Sequence, residues 1–189
     1  MIRAFIAISV PSHISQRCQL IGDSLRELNL DCRFVKTRFI HLTLQFLGDV
    51  SEEKIPLIGK IMQETGREVV SFNLEVCKLG VFPNPSRPRI VWIGVHPVDS
   101  LGDLQKALKE RMRQIGFTCD GKLFHPHLTL LRLRSIRNIA ALMEYVKEEG
   151  VGEQAGVFKV EEIHLYQSIL KVDGAEYYKL VTTRLESEC

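Results

Sequence analysis

Two kinds of hydrophobic pattern follow one another along this chain, one typical of half-buried strands and the other of amphipathic helices. Alternating apolar and polar residues predict strands over residues 2–10, 40–47, 72–79, 89–95, 127–133, 157–170 and 175–185. Apolar residues at helical spacing predict helices over residues 12–29, 51–68, 100–115 and 138–149. Ser12 and Ser51 are suited to cap the first two helices. Residues 80–88 contain three prolines and predict a rigid turn.

The order of these elements repeats along the chain. A strand, a helix, a second strand and a second helix occur in the first half, and the same order recurs in the second half. Such a repeat favours a duplicated α+β unit, with two antiparallel sheets covered by helices on their outer faces. We therefore expect one domain over residues 1–189, built as two pseudo-symmetric lobes around a central cleft.

One tetrapeptide, His-Leu-Thr-Leu, occurs in both halves, at residues 41–44 and 127–130. In a strand, residues two apart point to the same face. Each copy therefore presents an imidazole beside a hydroxyl, and two facing copies surround one cavity with two of each. Histidine can donate or accept a proton near neutral pH, and threonine can donate hydrogen bonds to phosphate oxygens. The motif indicates acid–base chemistry on a phosphodiester, with His41 and His127 as the proton-transfer groups.

Other interpretations of these histidines remain open at this stage. Taken alone, either copy is also compatible with a histidine that is merely hydrogen-bonded at a sheet edge. A zinc site is a second alternative, with ligands His41, His125, His127 and either Cys119 or Asp120. Pro126 and the lack of a nearby set of supporting carboxylates weaken the zinc interpretation. His125 lies two residues before His127, so it reaches the same face and either contacts the substrate or makes a structural hydrogen bond.

Composition and charge narrow the class of protein without naming a reaction. The chain has 189 residues, 45% of them hydrophobic, and a net charge of +2, in the range of ordinary globular proteins. No apolar run approaches the roughly 20 residues of a membrane-spanning helix. The five scattered cysteines lack a CxxC pair, which favours free thiols in the cytoplasm. The small net charge means that binding of a polyanion would need a local basic patch.

Several segments, in the order in which they occur, are similar to those of a known enzyme family. They are Arg33-Phe34-Val35, residues 41–48, Phe82-Pro83, Arg87-Pro88-Arg89, residues 92–95, residues 124–130 with Arg132, residues 165–168 and residues 174–177. The chain thus resembles the RNA 2′,3′-cyclic phosphodiesterases, also called 2′-5′ RNA ligases, of the two-histidine phosphoesterase superfamily. The resemblance implies metal-independent hydrolysis of a terminal 2′,3′-cyclic phosphate to a 2′-phosphomonoester. It also implies the reverse 2′-5′ ligation at the same site.

The resemblance further implies roles for individual residues. His41 would protonate the leaving O3′ and His127 would activate water, although the twin motifs by themselves leave that direction open. Thr43 and Thr129 would hold the phosphate oxygens. The implied partners are RNA termini or small cyclic nucleotides, with no cofactor, no membrane and a monomeric state. A nucleotide- or RNA-binding module that uses the same cleft without turnover is the alternative function.

One further pair of positions follows from the internal symmetry. Phe46 and Arg132 each stand five residues after a motif histidine. Strict alternation would place both on the face opposite the histidines, and Phe46 would then belong to the core. A bulge near the end of each strand would instead return both side chains to the cleft. The resemblance supports this second arrangement, with Arg132 contacting phosphate or ribose and Phe46 stacking on a base.

Overall fold

The computed structural model describes residues 1–118, 123–148, 150, 152–172 and 174–187, and these contain nine strands and four helices. The strands are β1 Ile2–Ser9, β2 Cys32–Phe34, β3 His41–Val50, β4 Phe72–Phe82, β5 Ile90–Val95, β6 His127–Leu133, β7 Gln154–Val160, β8 Glu162–Lys171 and β9 Gly174–Arg184. The helices are α1 Ser12–Glu27, α2 Ile55–Gly66, α3 Asp99–Gln114 and α4 Ile139–Glu148. None of the helices described is long and apolar enough to cross a membrane.

The strands form one curled sheet with the order β7-β4-β5-β6-β3-β1-β8-β9, and β2 adds to β6. The named strands pair antiparallel throughout. The predicted α+β class and the two pseudo-symmetric lobes are confirmed. Lobe A consists of β3, β1, β8 and β9, counted outward from the centre. Lobe B consists of β6, β5, β4 and β7 in the same outward order, together with β2.

The two lobes meet at the two motif strands. β3 and β6 share a single pair of facing residues, Leu42 and Leu128, and both leucines are buried. Beyond this pair the motif strands diverge, so the two halves of the sheet curl away from each other. The two predicted sheets are therefore joined into one sheet by the Leu42–Leu128 pair. The cleft lies on the face of this junction that is opposite the core.

Helices cover the outer face of the sheet and tie the lobes together. α1 follows β1 of lobe A, but it packs against β7 and β6 of lobe B. α3 follows β5 of lobe B, but it packs against β3 of lobe A and against α2. Of the apolar residues at helical spacing in α1, Ile14, Ile21 and Leu25 are buried, as predicted, whereas Leu20 is exposed. This crossing over of the helices buries one continuous core beneath both motif strands.

Three local predictions from the pattern were wrong. Residues 157–170 are not one strand, because β7 pairs with β4 in lobe B whereas β8 pairs with β1 in lobe A. Residues 80–82 belong to β4 rather than to the proline-rich turn, since they pair with β5. Neither Ser12 nor Ser51 makes a side-chain cap; α1 follows Pro11, and residues 52–54 form a 3-10 turn ahead of α2.

Candidate active site

The centre of the cleft is formed by the side chains of the two motif strands that point away from the core. His41 and Thr43 lie on the open face of β3, and His127 and Thr129 lie on the open face of β6, all four half-buried. The leucines between and after them are buried in the core. The motif strands run antiparallel through the Leu42–Leu128 pair. His41 of β3 is therefore next to Thr129 of β6, and His127 of β6 is next to Thr43 of β3.

Both imidazoles are fixed in the same way by the backbone that precedes them. His41 Nδ1 lies 2.7 Å from the carbonyl oxygen of Phe39, and His127 Nδ1 lies 2.7 Å from that of His125. A carbonyl oxygen can only accept, so each Nδ1 carries a proton and donates it. The lone pair of each neutral ring is therefore on Nε2. Either ring can accept a proton at Nε2, and once protonated it can donate one there.

A bulge in each motif strand resets the alternation of its side chains. The pairing of β3 with β1 skips Leu44, and the pairing of β6 with β5 skips Leu130. The burial of the two strands then follows the same sequence, with two consecutive buried residues before an exposed one. The exposed residues are Phe46 and Arg132. Both lie on the face that carries the histidines, so the arrangement with bulges holds and strict alternation does not.

The carbonyl oxygens of the two bulged residues do not pair with the neighbouring strand, and each accepts a hydrogen bond from another part of the chain. The carbonyl of Leu44 accepts a bond from the side chain of Gln105 at 3.4 Å. The carbonyl of Leu130 accepts one from the backbone N–H of Val35 at 2.8 Å. The side-chain amide of the buried Gln45 donates to the carbonyl of Phe46 at 2.9 Å. Since the bulged groups are satisfied, the turn of Phe46 and Arg132 toward the cleft is a stable feature of the fold.

Aromatic rings of lobe A enclose His41. The ring of Phe5 lies 4.8 Å from the imidazole, and the ring of Tyr177 lies 5.0 Å away at 88°. Tyr166 stacks on Phe5 at 5.3 Å, and the ring of Phe46 lies 6.0 Å from that of Phe5. Burial lowers the pKa of His41 to about 4, against a smaller opposite effect of its bond to the Phe39 carbonyl. Positive charge on His127 and on Arg132 makes a smaller contribution to this lowering of the pKa.

The surroundings of His127 in lobe B are more open. The ring of Phe82 lies 4.9 Å from this imidazole at 86°, in the position that Tyr177 takes in lobe A. Trp92 lies 6.1 Å away and His125 6.3 Å away. Burial also lowers the pKa of His127, the bond to the His125 carbonyl opposes this, and the charges of His125 and Arg132 add to the lowering. Arg132 thus acts electrostatically on both imidazoles.

A buried polar cluster lies behind His41 on the same open face of lobe A. His164 is 1% exposed, and its Nε2 lies 3.0 Å from Ser9 Oγ and 3.2 Å from Lys179 Nζ. Its Nδ1 lies 3.0 Å from Thr182 Oγ1. Burial, with a smaller contribution from the charge of the neighbouring Lys179, lowers the pKa of His164 to about 4. Ser9 faces His41 across the β1–β3 ladder and also bonds to Tyr166. The cluster therefore fixes the strand and the ring that pack beside His41.

Further arginines lie at the rim. Arg132 and Arg3 are close enough to Tyr177 for their charges to lower its pKa against the raising effect of burial. Arg3 lies on β1 on the same face as Phe5. The arginines that the sequence placed around the motifs, Arg87, Arg89, Arg134 and Arg137, are all exposed. They provide positive charge at the surface around lobe B.

The described part of the chain does not assemble the ligands of the alternative zinc site. Among the described residues there is no group of three or more His, Cys, Asp or Glu side chains placed to hold a metal ion. The rings of His125 and His127 are 6.3 Å apart. The other two residues of that alternative, Cys119 and Asp120, lie outside the described residues.

Sequence reasoning missed several residues that line the site. Phe5, Trp92 and Tyr177 contact the motif imidazoles, and each lies on a strand at alternating spacing. Trp92 and Tyr177 lie in segments that carry the family resemblance, but nothing in the sequence marked these rings as facing the motif histidines. A ring on the open face of a sheet looks the same in sequence as a ring in the core. The contacts of His164 had no sequence signal, since its partners are 15 to 155 residues away along the chain.

The family can now be assigned from a comparison with known proteins. Residues 10–170 match the model of the 2′-5′ RNA ligase superfamily. The chain belongs to this superfamily. Relatives named RNA 2′,3′-cyclic phosphodiesterase include proteins of Methanothermobacter thermautotrophicus (32% identity, 97% of this chain and 99% of the relative) and Aeropyrum pernix (35% identity, 90% and 96%). Among solved structures similar to this chain, that of E. coli LigT complexed with 3′-AMP has a TM-score of 0.80 at 27% identity, covering 97% of this chain and 98% of the other.

Proposed function

We propose that this protein hydrolyses the terminal 2′,3′-cyclic phosphate of RNA to a 2′-phosphomonoester, in RNA processing. The carrying observation is the pair of imidazoles, each held by an Nδ1–H bond to a carbonyl so that both Nε2 atoms face one cleft. A phosphodiester placed between them has a proton acceptor on one side and a proton donor on the other. The relatives named RNA 2′,3′-cyclic phosphodiesterase support the same reaction.

The reaction needs both imidazoles in one step. Nε2 of His127 takes a proton from water as the water oxygen bonds to phosphorus. The bond from phosphorus to O3′ breaks, and the protonated Nε2 of His41 gives its proton to O3′. The product carries a 2′-phosphate and a free 3′-hydroxyl, and the proton that His127 has gained returns to His41 through solvent.

The different surroundings of the two histidines support this division of roles. The pKa of His41 is lowered to about 4 by its aromatic enclosure. A protonated group with so low a pKa is a strong acid, suited to an alkoxide leaving group. His127 is in the more open lobe, so its Nε2 is the better placed of the two for a water molecule. The negative charge of bound substrate favours the imidazolium form of His41.

Four other residues act on the substrate in this proposal. Thr43 and Thr129 donate hydroxyl hydrogen bonds to the non-bridging phosphate oxygens, where negative charge grows in the transition state. Arg132 acts on the same charge, and its electrostatic effect on both imidazoles supports that position. Phe46 is 62% exposed at the edge of the aromatic group of lobe A, which suits it to stack on the terminal base.

The same site also supports 2′-5′ ligation, which is the reverse of 2′-5′ bond cleavage. If the 5′-hydroxyl of a second RNA takes the place of water, the product is a 2′-5′ phosphodiester bond. In ligation His127 takes the proton of the 5′-hydroxyl and His41 protonates O3′, as in hydrolysis; cleavage of the 2′-5′ bond back to the cyclic phosphate exchanges these roles. No nucleoside triphosphate is consumed. In water the hydrolytic direction dominates.

We further propose that the enzyme works as a monomer in the cytoplasm. One chain supplies both motif histidines and both threonines, so the site needs no second subunit. Cys18, Cys32 and Cys77 are free, and burial raises the pKa of the Cys18 thiol to about 12. Free thiols are typical of a reducing compartment.

The test is incubation of the protein with a short RNA that ends in a 2′,3′-cyclic phosphate, in the presence of EDTA, with 2′- and 3′-phosphate products resolved. The expected result is the 2′-phosphate alone, lost in His41→Ala and in His127→Ala. A mixture of both products would contradict the in-line loss of O3′. Product that forms only without EDTA would contradict metal-independent catalysis, and binding of the RNA without turnover would favour the binding module.

A further inference from the structure

Lobe B carries a group of rings that the proposed hydrolysis does not use. We call Phe82, Trp92 and His125 the lobe B aromatic cluster. The His125 ring lies 4.7 Å from Trp92 at 61° and 5.2 Å from Phe82 at 87°, and Phe82 lies 5.0 Å from Trp92. Phe82 and Trp92 are half-buried, whereas His125 is exposed. The cluster is therefore open to solvent on the side of His125.

The indole ring of Trp92 is closely surrounded by the backbone of β4 and β5. A Cβ atom at Gly80 would lie 2.3 Å from the Trp92 ring, and one at Gly94 would lie 3.3 Å from it. Gly80 faces Trp92 on the neighbouring strand β4, and Gly94 lies two residues after Trp92 on β5. The absence of a side chain at both positions leaves space for the indole ring. The indole Nε1–H is buried without a hydrogen-bond partner in the described part of the chain. An unpaired buried donor is unfavourable.

The cluster lies on the side of the cleft from which the nucleophile enters. Trp92 faces Thr129 across the β5–β6 ladder, and the edge of Phe82 contacts the His127 ring. In an in-line displacement the nucleophile approaches beside the base and the leaving oxygen departs beside the acid. A group attached to the nucleophile therefore lies over lobe B rather than over the rings of lobe A. In lobe A, Phe5 and Tyr166 are buried at 3% and 8% exposure, and the exposed ring of Phe46 is already assigned to the base of the cyclic phosphate.

We propose that the lobe B aromatic cluster is a second nucleoside subsite, which holds the nucleoside whose 5′-hydroxyl replaces water. This inference rests on the proposed function. The 5′-oxygen bonds to phosphorus, its proton passes to His127, the bond to O3′ breaks, and His41 protonates O3′. The product is a 2′-5′ linked dinucleotide with a free 3′-hydroxyl. By reversibility, the same subsite holds the second nucleoside when the enzyme cleaves a 2′-5′ bond.

Aromatic faces suit a nucleobase because stacking depends on the π-face common to all bases. The exposed imidazole supplies such a face, and the indole and phenyl rings hold it from beneath. We therefore expect a subsite that accepts any of the four bases, with the strongest binding for purines.

The first experiment uses the fluorescence of Trp92, which is the chain's single tryptophan. Titration of the whole protein with adenosine, which has no phosphate, should give saturable quenching, and ribose should give none. Quenching should be kept in Phe46→Ala and in His125→Phe, and should weaken about fivefold or more in His125→Ala, the loss of one stacking contact. Equal quenching in His125→Ala, or its loss in Phe46→Ala, would overturn the second subsite.

The second experiment compares two substrates. His125→Ala should lower kcat/KM for the dinucleotide A2′p5′A about fivefold more than kcat/KM for adenosine 2′,3′-cyclic phosphate. His13→Ala is the matched control, because His13 is an exposed histidine at the start of α1 that bonds to Val157 outside the cleft. It should change neither value. Equal effects of His125→Ala on both substrates would overturn the subsite while the hydrolysis stands. Absence of hydrolysis in the parent protein would instead refute the proposed function.

Discussion

The two lobes carry the same chemical groups in different surroundings. Each presents a histidine and a threonine before a bulge, and each fixes Nδ1 by a carbonyl two residues earlier. Each also places one ring edge-on against its imidazole, Tyr177 in lobe A and Phe82 in lobe B. Lobe A then adds buried aromatic residues and the His164 cluster, whereas lobe B adds an exposed histidine and an arginine.

This difference indicates how a duplicated motif acquires two roles. The local hydrogen bond that selects the tautomer depends on neighbours in sequence, so both copies keep it. The pKa of each ring depends on what other strands bring to it, and these strands differ between the lobes. We infer that the division into acid and base arises from the surroundings of the motifs rather than from the motifs themselves.

The largest expected effect comes from removing either imidazole. His41→Ala and His127→Ala should each lower kcat by about 10²–10⁴-fold, and the double variant should lose little more, because both groups act in one step. Affinity for a nucleoside 2′-phosphate should change only a few-fold. Steady-state kinetics and equilibrium binding measure the two quantities. Additive losses would show that the two lobes act in separate steps.

The threonines test whether the lobes hold the phosphate equally. Thr43→Val and Thr129→Val each replace a hydroxyl by a methyl group of similar size. Each should lower kcat about 10-fold or more, since one donor to the growing negative charge is lost. Thr→Ser at the same positions should restore most of the rate. A rise in KM with kcat unchanged would indicate that the hydroxyl binds substrate and transition state alike.

Substitution of Phe46 and of Arg132, the exposed residues after the two bulges, should distinguish recognition of the base from recognition of the phosphate. Phe46→Ala should raise KM for a nucleoside 2′,3′-cyclic phosphate about fivefold or more, through loss of stacking. It should have little effect with ribose 2′,3′-cyclic phosphate, which has no base. Arg132→Ala should reduce kcat/KM for both compounds. Equal sensitivity of the two compounds to Phe46→Ala would remove the stacking role.

The smallest expected effect is in the pH profile. The acid must be protonated, so kcat/KM falls as pH rises above its pKa, and the base must be neutral, so kcat/KM falls as pH drops below its pKa. Burial lowers both pKa values from 6.5, so the maximum of kcat/KM should lie below pH 6.5. Bound phosphate favours the imidazolium form, so the maximum of kcat should lie at higher pH. A profile with a single limb would contradict two titrating histidines.

The sequence predicted the parts of this molecule that depend on local pattern. The span of β6, the position of the motif side chains on one face and the repeat of the two halves all follow from alternation and order. The rest depends on contacts between distant strands. The break between β7 and β8 has no local signal, because it reflects pairing with different lobes. The rings around each imidazole were likewise not predictable, since the sequence does not tell which face of a distant strand meets the cleft.

The position of β1 between β3 and β8 has a consequence for the order in which the molecule can be assembled during translation. The strands of lobe B are complete once residue 160 has been made, whereas lobe A must wait for residues 162–184. Until then the edge of β1 that includes Phe5 and Ile6 lacks its partner. Tyr166 and Tyr177, which pack beside His41, come from this final hairpin. A chain that is stalled or cleaved after β7 would therefore contain both motif histidines and still lack two of the aromatic rings that pack beside His41.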